Sequence, residues 1–131
     1  MTALRWMLAV PAAGLGYLAA ALVAALLLSV LDGLCPPELM VSGHCMAPWH
    51  RHAEQAAFGL ASALGAALFV ALPWWMAPAH KGRVGAAACA VGTAWVTWGL
   101  AEVGSSFLVI FLSSVAAGSA TAWWLSRRTG Q

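Results

Sequence analysis

A chain of 131 residues in which 63% are hydrophobic and only 8% charged, with a mean hydropathy of +0.85, is excluded from the soluble domains, whose charged fraction is about 25%. Its length holds roughly four helices of the ~20 residues that cross a ~30 Å hydrocarbon core, with nothing left for a soluble domain. The net charge of +2 says little by itself; the position of each charge along the chain says more.

The first apolar run, 6–31, follows a short start carrying Arg5 and ends at Asp32-Gly33. It is too long for the 7–15-residue core of a signal peptide, so it reads as an uncleaved transmembrane helix, with Pro11 placed to kink it near its start. The polar interval 32–54 comes next and reads as a loop outside the membrane. A second span is expected over 55–75, closed by Pro73 and Trp74-Trp75, and a third over 84–101 after the link MAPAHKGR. The fourth, 107–125, follows a break of a few residues at Glu102 to Ser105, too short for anything but a reversal of direction. The expected fold is therefore an all-α membrane protein, a single domain over 1–131. Its four transmembrane helices form a compact bundle of two hairpins, with one long disulfide-pinned loop outside.

Sorting the charges by side fixes an expected topology. Arg5, Lys81, Arg83, Arg127 and Arg128 fall on one face, and Asp32, Glu38, Glu54 and Glu102 on the other, with Arg51 the exception. The positive-inside rule then places both termini in the cytoplasm of a bacterial inner membrane. Trp6, Trp74, Trp75, Trp123 and Trp124 agree, lying at the same ends of their helices, at headgroup depth. Small residues recur every fourth position in each helix: Ala12, Gly16, Ala20 and Ala24; Ala57, Ala61 and Gly65; Gly85, Cys89, Thr93, Thr97 and Ala101; Ser114, Gly118 and Ala122. Such stripes let helix backbones approach closely, which is what drives association in lipid.

Chemistry concentrates in the loop. Cys35 and Cys45 lie where disulfides persist, and Pro36-Pro37 and Ser42-Gly43 let the chain double back between them, so a bridge is expected, structural rather than redox because the spacing is not CxxC. Cys89 reads as a packing residue. Met40, His44, Cys45, Met46, His50, His52 and Glu54 offer sulfur, imidazole and carboxylate ligands. That mixture suits copper, and His44, His50, His52 and Glu54 suit zinc; Met40 or Met46 would complete the shell. If Pro48 opens the second helix, His50 and Glu54 share a face near Asp32 and Glu102. The competing reading is a solvated loop surface.

The chain carries no nucleophile–base pair, no phosphate loop and no nucleic-acid patch, which points away from catalysis. No ionisable residue falls mid-membrane, where coupled transporters keep one. The first functional reading is an accessory, assembly or scaffold subunit of a larger membrane complex, its partners the lipid bilayer and other membrane subunits, with a metal or cofactor contact at the outer face. The alternative is a small self-associating transporter or channel lined by Thr93, Thr97, Ser113, Ser114, Ser119 and Thr121. A redox or haem-binding subunit using His50 or His52 is the third.

Overall fold

The computed structural model describes residues 2–129, with side chains from Met7 to Arg128. The expected placements of the Arg5 and Trp6 side chains lie outside the described ones. Among the described residues the fold is all-α apart from short links and one small hairpin. Helix α1 runs Thr2–Gly33, α2 His50–Met76, α3 Lys81–Val103 and α4 Leu108–Thr129, with a 3₁₀ turn at Gly104–Phe107 between α3 and α4. Three helical stretches are long and apolar enough to cross a membrane: Met7–Gly33, His50–Met76 and the continuous Lys81–Arg128.

The last stretch, 48 residues, would be about 72 Å long as a straight helix, more than twice the hydrocarbon thickness. It is folded back on itself instead. Ala86 and Cys89 near the start of α3 line the same groove as Ser119 and Ala122 near the end of α4, so the two helices run antiparallel, reversed at Gly104 with φ +78°.

Helix α2 is central, packing on α1, α3 and α4. Its small residues explain how. Ala57, Ala61 and Gly65 are buried, as are Ala12, Gly16 and Ala20 on α1, and a Cβ placed on Gly65 would lie 2.9 Å from the Cβ of Ala20. A side chain at Gly65 would therefore clash, and its absence lets the two backbones approach closely. A hydroxyl bridge joins α2 to α4, Ser62 Oγ lying 2.7 Å from Ser113 Oγ. On α4, Ser114 and Gly118 are buried. The stripe on α3 fares differently: Gly85 is buried, Cys89 and Thr93 are half-buried, and Thr97 and Ala101 are exposed.

Two expectations differ in detail. Helix α2 begins at His50 rather than Gln55, and it continues through Pro73, whose carbonyl accepts from Ala77 N–H at 2.9 Å. Between α1 and α2 the chain forms a 3₁₀ turn at Pro37–Leu39 and a two-stranded antiparallel hairpin, β1 Met40–Val41 and β2 His44–Cys45, in the register Met40↔Cys45 and Val41↔His44. Ser42 and Gly43 both take positive φ, 51° and 81°, as a two-residue hairpin turn of the primed type requires.

Candidate functional site

The polar end of the bundle is built on the hairpin. Cys35 and Cys45 form the expected disulfide, Cα–Cα 5.9 Å, and Met46 N–H donates to Leu39 O at 2.9 Å. Together they fold β1 and β2 back toward the helix ends. The first turn of α2 follows, with His50 N–H donating to Ala47 O at 3.0 Å.

His50 is the centre of the site. It is 4% exposed, and its two ring nitrogens face two carboxylates. Nε2 lies 3.1 Å from Asp32 Oδ1 at the end of α1, and Nδ1 lies 3.6 Å from Glu54 Oε1 one turn along α2. The first distance is a hydrogen bond, the ring donating in the form that carries a proton on Nε2; the second is an ion-pair distance. Trp49 closes one side, its ring edge-on to the imidazole at 5.6 Å. A cavity of about 320 Å³ opens beside the ring, lined by Leu28, Asp32, Gly43, His44, Cys45, His50 and Glu54. It lies at the small end of ligand pockets.

Of the residues singled out in the sequence, the structure brings His44, Cys45, His50 and Glu54 to this cavity, together with Asp32. It does not bring the rest. His52 is two residues further along a helix that turns 100° per residue, and it is exposed. Met40 and Met46 are 39% and 66% exposed and do not line the cavity. Cys45 is committed to the disulfide, so it has no thiolate to offer. Glu102, at the far end of α3, is also absent from the lining. Among the described residues no group of three or more His, Cys, Asp or Glu side chains is placed to hold a metal ion.

As arranged, the site acts as a clasp, tying the end of α1 to the start of α2 through one buried ring. Asp32 and Glu54 are 50% and 43% exposed, so solvent screens the charge attraction, and the packed, hydrogen-bonded imidazole carries most of the stabilisation. His50→Ala is expected to cost about 2–3 kcal/mol in a detergent unfolding titration, from a lost charge-assisted hydrogen bond and the space left by the ring. His52→Ala should stay within about 0.5 kcal/mol, as exposed substitutions do; equal costs at the two positions would refute the clasp.

At the other end of the bundle, three cations lie on indole rings: Lys81 Nζ 4.9 Å from the Trp74 ring centroid, Arg127 Cζ 3.8 Å from that of Trp123, and Arg128 Cζ 3.8 Å from that of Trp124. Sequence reasoning placed these residues at one end without pairing them. The signal was present on α4, where each Trp and its Arg are four residues apart and so share a helix face.

No protein-family model matches the chain, and neither a curated protein nor a solved structure matches it.

Proposed function

We propose that the chain crosses a bacterial inner membrane four times, as two hairpins with the basic end in the cytoplasm. Its role is that of a non-catalytic accessory or scaffold subunit, taking a transmembrane helix of another subunit in the groove between α3 and α4. The observation that carries this reading is the groove itself, lined by Ala86, Cys89, Ala90, Thr93, Ala94, Ser119 and Ala122. Small side chains of the kind that pack α1, α2 and α4 inside the bundle recur along this face of α3, where Ala86, Ala90 and Ala94 are exposed. A helix laid there would approach α3 as closely as α1 approaches α2, which is how helices associate in lipid.

One observation favours the self-associating alternative: Thr93 and Ser119 place hydroxyls in the groove. The other hydroxyls give it little. Thr97 donates to Thr93 O, Thr121 to Ala117 O, and Ser113 to Val109 O and Ile110 O, while Ser114 is buried. With no charge at mid-membrane, the scaffold reading is the stronger.

Photo-crosslinking in native membranes tests it. A crosslinking residue at Ala90 or Ala94 should give one discrete adduct with a different protein, and the same residue at Tyr17 or Leu18, on the outward face of α1, should give none. No adduct at the groove positions, or equal adducts at all four, would overturn the reading. An adduct of two copies of this chain would move the assignment to the homo-oligomer.

A further inference from the structure

We propose that the basic end of the bundle is a docking rim for the headgroups of net-anionic phospholipids, with Arg127, Arg128 and Lys81 held as phosphate donors by Trp123, Trp124 and Trp74. The inference rests on the membrane-spanning reading but not on the scaffold role.

Four cations, Lys81, Arg83, Arg127 and Arg128, gather where α3 begins and α4 ends, while the four Asp and Glu residues of the sequence all lie in or near the opposite end. No ion pair involving these cations is present among the described residues; the recorded pairs both belong to His50. Among the described residues no acidic side chain is set against them.

Their placement adds a second argument. A long basic side chain at a helix end ordinarily extends away from lipid into water. Here Arg127 and Arg128 turn back one helical turn and lie on indoles that are themselves 57% and 50% exposed. The guanidinium is thereby held at the depth of the tryptophan ring, the depth of headgroups. Stacking uses only the flat face of the ion. The in-plane N–H donors remain on the rim, in the fork that matches two phosphate oxygens. The two pairs start from adjacent residues, about 100° apart around α4, so they address neighbouring lipids rather than one. Lys81, over Trp74, extends the rim onto the start of α3.

Electron paramagnetic resonance on the full chain in phosphatidylcholine bilayers tests this, with nitroxide-labelled phosphatidylglycerol or phosphatidylcholine as the probe. The motionally restricted fraction measures lipid in contact with the protein, and the ratio between probes measures selectivity. Phosphatidylglycerol should be preferred several-fold. The preference should fall by up to about twofold for each of Arg127→Gln, Arg128→Gln and Lys81→Gln, in line with the attraction of a basic residue to an anionic leaflet. Trp123→Leu with Trp124→Leu keeps every charge and should still lower it about twofold.

For the unmodified protein, the preference should collapse toward one at about 1 M sodium chloride, where screening reaches ~3 Å, so the conclusion does not depend on any variant folding. Inorganic phosphate at matched ionic strength should do no more than chloride; a specific loss would mean the rim binds free phosphate, overturning the lipid assignment. Restricted phosphatidylcholine without preference for phosphatidylglycerol would overturn this proposal alone. No restricted component with either probe would overturn the membrane-spanning reading beneath it. Full selectivity in the tryptophan double variant would overturn the positioning role of the indoles.

Discussion

Gly16→Leu is expected to separate α1 from α2 and destabilise the bundle by about 3 kcal/mol, at the upper end of what overpacking costs. A Cβ at position 16 would lie 3.0 Å from Leu68 Cβ, 3.2 Å from the Leu68 carbonyl carbon and 3.3 Å from Leu72 Cδ1. The last of these can rotate away. The backbone carbon cannot, so the helix axes must part, and the shift passes to the neighbouring contact between Gly65 and Ala20. Gly14→Leu is the matched control: the same substitution two residues earlier on the same helix, with nothing within 4 Å of its Cβ. It should stay within about 0.5 kcal/mol. An unfolding titration in detergent compares the two, and similar costs at both positions would contradict the tight α1–α2 seam.

Removing the disulfide should produce the other large effect. Cys35 and Cys45 are separated by 10 residues, and closing a loop of that size stabilises the folded chain by about 3 kcal/mol on the chain-entropy model. Cys35→Ser with Cys45→Ser should lower stability by roughly that amount and release the amide of Met46 to rapid hydrogen exchange, since its bond to Leu39 O closes the same loop. Cys89→Ser, at a free and half-buried thiol, should do neither. Unchanged exchange at Met46 in the double variant would show that the hairpin turn holds the loop without the bridge.

The fold was legible where one residue type decides the matter. Long apolar runs located the helices, Ser42-Gly43 marked the turn, and two cysteines in an outer loop implied their bridge. Small residues at every fourth position marked the faces along which α1 and α2 pack, without saying which helix meets which, because helix period and side-chain volume are both local properties. The first turn of α2 was legible only as an alternative, with Pro48 opening the helix, while the span itself was set at 55–75. His50, Arg51, His52 and Glu54 read as loop because they are polar, and what makes them helical is tertiary: a ring buried against Asp32, eighteen residues earlier. The hairpin strands, two residues each, are too short to show alternation.

The same limits governed the site. The sequence put His44, His50, His52, Glu54, Met40 and Met46 within one short segment, but proximity along a chain is not convergence in space. Helical rotation carries His52 out of the cavity, and the hairpin leaves Met40 and Met46 outside its lining. Asp32, noticed as a neighbour of His50 and Glu54, turned out to be the hydrogen-bond partner.

The central position of α2 also bears on how the chain is made. Synthesis runs from the N-terminus, so α1 emerges first and has its partner as soon as α2 is complete. The opposite side of α2 has to wait. Its neighbour there is α4, the last of the four helices to emerge, which brings Ser113 to Ser62 across 51 positions of sequence. A nascent chain that has reached only Val103 therefore holds α2 half covered, with the Ser62 hydroxyl limited to the carbonyl of Gly59 on its own helix.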